Sequence, residues 1–120
     1  MTPVLVVTNE RGAGEDAVSG FPSDVEVDVA ADARSAWSLL QSRTPAVVVV
    51  DLRTGSAGGF ALARDMKANA RLSKVPILML LERDQDGWLA KQAGATRWLV
   101  KPVGIENIVS EAVSLFSDAA

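Results

Sequence analysis

Four short apolar blocks punctuate the chain, at residues 4–7, 47–50, 77–81 and 98–100. Each is rich in Val, Ile or Leu, and none alternates with polar residues. Runs of this kind suit strands buried on both faces, as in a parallel sheet covered by helices. A fifth segment differs. Val25, Val27 and Val29 alternate with Glu26 and Asp28, the period of two expected of a half-exposed edge strand. Between the blocks the period lengthens. Ala33, Ala36, Trp37 and Leu40 keep the i, i+3, i+4, i+7 spacing of a helix behind Asp32, a suitable N-cap. Trp37 falls in that apolar stripe and is expected in the core. Leu62, Ala63 and Met66 mark a third helix after Gly58 and Gly59. A short fourth helix over 86–93 ends at Gly94. Ile105, Ile108, Val109, Ala112, Val113 and Phe116 form the clearest amphipathic helix. The segment 11–24 carries Gly12, Gly14, Gly20 and Pro22, so the first helix is expected to be short, near 15–19, or irregular.

Strands and helices therefore alternate along the chain, which predicts an α/β fold: a doubly wound, five-stranded parallel sheet in a single domain spanning 1–120. In an open sheet of this kind ligands bind beyond the carboxyl ends of the strands. The residues there are Thr8, Asn9 and Glu10 after the first strand and Asp51 after the third. Leu81 and Glu82 end the fourth, and Lys101, followed by Pro102, ends the fifth.

Composition narrows the chemistry. The 120 residues include 12 Lys plus Arg and 15 Asp plus Glu, a net charge of −3, which argues against a dedicated nucleic-acid binder. There is no cysteine and no histidine. Disulfides, thiolate catalysis, Cys-based zinc sites and imidazole acid–base chemistry are thereby excluded. Carboxylates, amines, hydroxyls and backbone groups remain. No apolar run approaches the roughly 18 to 20 residues needed to span a bilayer. The N-terminus lacks the basic flank and apolar stretch of a secretion signal, so a cytoplasmic protein is expected.

Five pieces, in order and at matching spacing, resemble the receiver domains of bacterial two-component response regulators. They are Val-Leu-Val-Val at 4–7; Pro-Ala-Val-Val-Val-Val-Asp-Leu at 45–52, with Gly59 eight residues beyond Asp51; 67–76; 77–80; and Gly-Ala-Thr-Arg-Trp-Leu-Val-Lys-Pro at 94–102. Together they cover nearly the whole chain. The resemblance implies a flavodoxin-like (βα)5 fold with strand order 2-1-3-4-5. It also implies that Asp51 is the phospho-acceptor position, that Lys101 contacts the phosphoryl group, that the bond to Pro102 is cis, and that Trp98 is the aromatic switch position. A carboxylate nucleophile forms an acyl phosphate, and a nearby ammonium stabilises the transferring oxygens.

The departures from the pattern are as informative. The adjacent acids that hold Mg²⁺ in the family are replaced by Thr8 and Asn9, the switch Ser or Thr by Leu81, and the proline after the acceptor by Gly55. Asp51 and Lys101 can balance each other without metal. A direct pair at about 4 Å is worth roughly 4 kcal/mol before desolvation at an effective dielectric of 20. The expectation is an atypical receiver, not an enzyme, that works mainly as a protein-interaction module with Mg²⁺-dependent phosphorylation of Asp51 weakened or lost. No cofactor is expected, and any metal would be held weakly by Asp51, Asn9 and Glu10. Two alternatives stay open: a working receiver that phosphorylates Asp51, and a nucleotide-binding α/β protein, because Gly12-Ala13-Gly14-Glu15-Asp16-Ala17 matches G-x-G-x-x-A. The implied partner is a sensor kinase or another protein, met through the face of the fourth helix, fifth strand and fifth helix. Trp88 there is expected to be partly exposed and Trp98 to pack. A homodimer is a further option; membrane and direct nucleic-acid partners are not expected. Arg64, Lys67, Arg71 and Lys74 form a basic stripe that reads as a solvated face.

Overall fold

The computed structural model describes residues 1–51 and 57–118. The strands are β1 (Thr2–Thr8), β2 (Val25–Ala30), β3 (Val47–Asp51), β4 (Ile77–Leu81) and β5 (Arg97–Val100). The helices between and after them are α1 (Ala13–Gly20), α2 (Ala33–Ser42), α3 (Ala57–Ala68), α4 (Gly87–Ala93) and α5 (Ile105–Asp118). All strand pairs are parallel and the order is β2-β1-β3-β4-β5, the flavodoxin-like arrangement. The order reverses between β1 and β3, where Thr8 lies opposite Asp51.

The strict two-residue period of the strands divides the core into two layers. Leu5 and Val7, Val48 and Val50, and Ile77, Met79 and Leu81 face one side, where they pack on Ala36, Leu40, Ala63 and Met66 of α2 and α3 and on Ala90 and Ala93 of α4. Val4 and Val6, Val47 and Val49, and Leu78 and Leu80 face the other, against Ala17, Phe21, Ala112 and Leu115. The strand side chains in both layers are aliphatic because a central parallel strand has no solvent-facing side.

Local chemistry sets the helix ends. The Ser35 N–H donates to Asp32 Oδ1 at 2.7 Å and caps α2. Beyond the end of that helix, Arg43 reaches Glu26 with two bonds of 2.8 and 2.9 Å, tying α2 to the edge strand β2. A single 3-10 turn, Asp84–Asp86, leads into α4, and Gly94 ends it at φ 107, a left-handed conformation that favours glycine.

Two elements differ from the sequence pattern. Helix α1 is regular and runs over eight residues, longer than 15–19. Its glycines serve close packing: a Cβ on Gly14 would stand 3.0 Å from Val29 Cγ1, and one on Gly20 2.8 Å from Ile105 Cγ1. Helix α3 takes Gly58 and Gly59 inside it rather than following them. Burial of Leu62, Ala63 and Met66 outweighs a helix cost of about 1 kcal/mol per glycine. β2 is the half-exposed edge strand expected, with Val25 and Val27 half-buried and Val29 41 % exposed. Trp37 lies at the margin of the core, partly buried.

Leu40 is completely buried and Leu89 on α4 is 38 % exposed. Leu40→Ala is expected to lower unfolding free energy by about 2–5 kcal/mol in urea, and Leu89→Ala by no more than about 0.5 kcal/mol.

Candidate functional site

The strand period also builds the site. Continuing the phase of Val4 and Val6 brings Thr8 to the α1/α5 side of the sheet; Val47 and Val49 are followed in phase by Asp51, and Leu78 and Leu80 by Glu82. Leu99 packs on the same side, and Lys101 follows it in phase. Leu81 falls out of phase with this set. It is 1 % exposed and belongs to the opposite layer of the core.

Asp51 is 5 % exposed at the end of β3. Its Oδ1 forms an ion pair with Lys101 Nζ, yet has no hydrogen-bond partner of ordinary geometry among the described residues. The Thr8 hydroxyl donates to Oδ2 at 3.4 Å and itself accepts from the Glu10 N–H at 3.1 Å. Lys101 Nζ also donates to Glu10 Oε2 at 3.2 Å and to Glu82 Oε1 at 3.5 Å. One ammonium therefore serves three carboxylates. The peptide bond from Lys101 to Pro102 is cis.

Burial pushes the Asp51 carboxyl above the usual carboxylate range, against the opposing pull of Lys101 and Thr8. For Lys101 burial acts downward, but the bonds and charges of Asp51 and Glu10 prevail and hold it above the usual lysine value. Ionised Asp51 is thus a group the fold tolerates through its partner.

Of the residues singled out from the sequence, Thr8, Glu10, Asp51 and Lys101 come together, and Glu82 joins them. Its role was signalled only by its place beyond β4, in phase with Leu78 and Leu80. Asn9 is exposed at the loop. Leu52 and Gly55 lie outside the described residues. Trp98 is half-buried and packs toward α4, where a Cβ on Gly87 would stand 2.8 Å from its Nε1. Trp88 is 67 % exposed. Gly12 stands at φ 81 four residues beyond β1, a turn before α1 rather than the glycine that directly follows the strand in a dinucleotide fingerprint. Within the basic stripe, Arg71 bonds the Leu40 carbonyl and the Thr44 hydroxyl, and Lys67 the Ser73 carbonyl at 3.1 Å. Two of its four cations are thus engaged in structural contacts. No helix among the described residues is long and apolar enough to cross a membrane.

Comparison with known proteins agrees with this architecture. Residues 4–113 match the family profile of the response regulator receiver domain, and the chain belongs to that family. Response regulator Rre1 of Synechocystis is 32 % identical over 104 residues, which cover 82 % of this chain and 45 % of that protein. Transcriptional regulatory protein PhoP of Escherichia coli is 33 % identical over 92 residues, covering 75 % and 40 %. The chain thus spans less than half the length of these two relatives. The chemotaxis response regulator CheY4 of Vibrio cholerae superposes with a TM-score of 0.86 at 26 % identity, over 96 % of this chain and 98 % of that one.

A carboxyl whose pKa rises on folding adds stability only below its unfolded value, about 3.9, and loses it as pH climbs through the folded value. Asp51→Asn is therefore expected to raise stability at pH 7, with the gain vanishing below pH ~4. Lys101→Met, which strands the buried carboxylate, is expected to cost about 3 kcal/mol at pH 7 and progressively less as Asp51 protonates. Urea unfolding of the three proteins across this pH range checks both signs.

Proposed function

We propose that this receiver domain is atypical: a protein-interaction module of two-component signalling in which Mg²⁺-dependent phosphorylation of Asp51 is weakened or lost. The observation that carries this reading is the occupancy of Asp51. Oδ1 faces the Lys101 ammonium and Oδ2 accepts from the Thr8 hydroxyl. A hard divalent cation takes carboxylate oxygens, and the positions where the family carries its acid pair hold a hydroxyl and an amide. Among the described residues no three His, Cys, Asp or Glu side chains are placed to hold a metal ion. This donor set fits Mg²⁺ poorly. Asp51, Asn9 and Glu10 are the groups that would meet a weakly held ion.

The output surface in this reading is the face of α4, β5 and α5. Trp88 at 67 % and Leu89 at 38 % exposure supply apolar area there for a kinase or another protein, aromatic residues being favoured at interfaces. Trp98 contributes by supporting α4 from below. The competing reading, a working phospho-receiver, draws on the direct contact of Lys101 with Asp51, the pair that phosphoryl transfer to Asp51 also needs.

Intact-mass measurement after incubation with Mg²⁺ and acetyl phosphate separates the two. The expected result is no Mg²⁺-dependent phosphoryl increment on the wild type. Restoring acids with Thr8→Asp and Asn9→Asp is expected to tighten Mg²⁺ binding by at least about tenfold, the scale on which even outer-shell partners of a metal act. Stoichiometric wild-type phosphorylation that disappears in Asp51→Ala would establish the working receiver instead.

A further inference from the structure

Strand β2 is the last in the sheet and pairs with β1 on one side only among the described residues. The Thr2 N–H donates to the Asp24 carbonyl at 3.0 Å, which fixes the phase of that pairing. Successive residues of a strand turn their backbone groups to alternate sides. Asp24, Glu26 and Asp28 therefore turn theirs to β1, and Val25, Val27 and Val29 turn theirs to the open edge. The Val25 N–H is held by the Pro22 carbonyl at 3.0 Å. Val27 and Val29 each present a donor and an acceptor outward from the sheet. Lysine, proline or a bulge ordinarily blunts such an edge. Val25–Ala30 contains neither residue, and its register with β1 runs without a bulge.

The two faces beside this edge differ in kind. On the α1 side Val25 and Val27 are half-buried and Val29 is 41 % exposed. Helix α1 passes Val29 with Gly14, whose Cβ would stand 3.0 Å from Val29 Cγ1. One turn further, the same side of that helix carries Val18, 55 % exposed. On the α2 side stand Glu26 and Asp28. Their side chains are 46 % and 39 % exposed although Arg43 approaches them at 2.8 and 3.7 Å. One guanidinium is thus shared between two carboxylates. Residues 12–32 hold six acids and no Lys or Arg, so that stretch of chain adds no cation.

We propose that β2 accepts an extended segment of a protein partner as a sixth strand, one in which apolar residues alternate with lysine or arginine. Its main chain bonds to Val27 and Val29, its apolar side chains cover Val29 and Val18, and its cations meet Glu26 and Asp28. Charge complementarity selects this occupant over a second copy of the chain. Antiparallel pairing of two β2 strands would set Glu26 and Asp28 beside their like, which is destabilising. The surface does not use Asp51, so it holds for either reading of the acceptor.

The probe is the end-capped peptide Lys-Val-Lys-Val-Lys-Val, titrated into the full chain and followed by amide NMR. Saturable shifts of the Val27 and Val29 N–H resonances are expected. The Glu-Val repeat, the block peptide Lys-Lys-Lys-Val-Val-Val and the N-methylated repeat are each expected to bind at least about tenfold weaker. Glu26→Gln combined with Asp28→Asn is expected to weaken the basic repeat at least about threefold. Val27→Pro removes an outward N–H but no bond to β1, and Val29→Lys sets a charge at an exposed position. Each is expected to abolish the shifts in a chain that circular dichroism reports as folded, and Val29→Lys decides the matter if the proline variant unfolds. Absence of saturable shifts, equal binding of the block or N-methylated peptide, or binding that survives Val29→Lys would overturn the proposal. Shifts of the same amides with protein concentration alone would assign the edge to a second copy and overturn it too.

Discussion

A carboxylate placed at the rim of an aliphatic sheet and nearly closed off from water must find a cation, and the rest of the site is arranged around that requirement. Asp51 is carried there by β3, whose four preceding valines are buried on both faces. Lys101 arrives from β5, two strands away in the sheet. Neither residue is placed by its neighbours in sequence. The common strand period brings both to the α1/α5 side, with Thr8 and Glu82 in the same phase. Burial opposes the charge on Asp51, and the ammonium opposes burial. Glu10 and Glu82 then gather on the outer side of the same ammonium, where solvent screens them.

How much of this could be read in advance varied with how local the cause was. The blocks at 47–50 and 77–81 nearly coincide with β3 and β4, because central parallel strands have to be apolar on both faces. Asp32 as a cap and Gly94 as a helix stop are local chemistry and were legible for that reason. The glycines of α1 and α3 misled. Gly14 and Gly20 look like helix breakers until Val29 and Ile105 are seen against them, residues fifteen and eighty-five positions further along the chain. At the site, Asp51 and Lys101 announced themselves by standing directly after apolar runs. Glu82 stood equally plainly after Leu81, but its part emerges only when Leu78, Leu80 and Glu82 are seen on one face.

The receiver fold therefore carries, in the proposed reading, a different solution to its central electrostatic problem. Where the family pattern sets several acids around the acceptor and offsets them with a divalent ion, this chain sets a hydroxyl and an amide there and relies on lysine. The acids that remain nearby, Glu10 and Glu82, lie further out and turn to Lys101 rather than to Asp51. The acidic total of the chain says nothing of this; the placement of each carboxylate does.

In the proposed reading Asp51 is neutralised by Lys101 and not by a divalent ion. The carboxyl carbon resonance of Asp51, followed by NMR during a Mg²⁺ titration of the full chain at neutral pH, reports on that directly. No saturable shift is expected at millimolar Mg²⁺, together with a clear shift in Lys101→Met. A saturable Mg²⁺-dependent shift of the wild-type resonance at millimolar metal would contradict it.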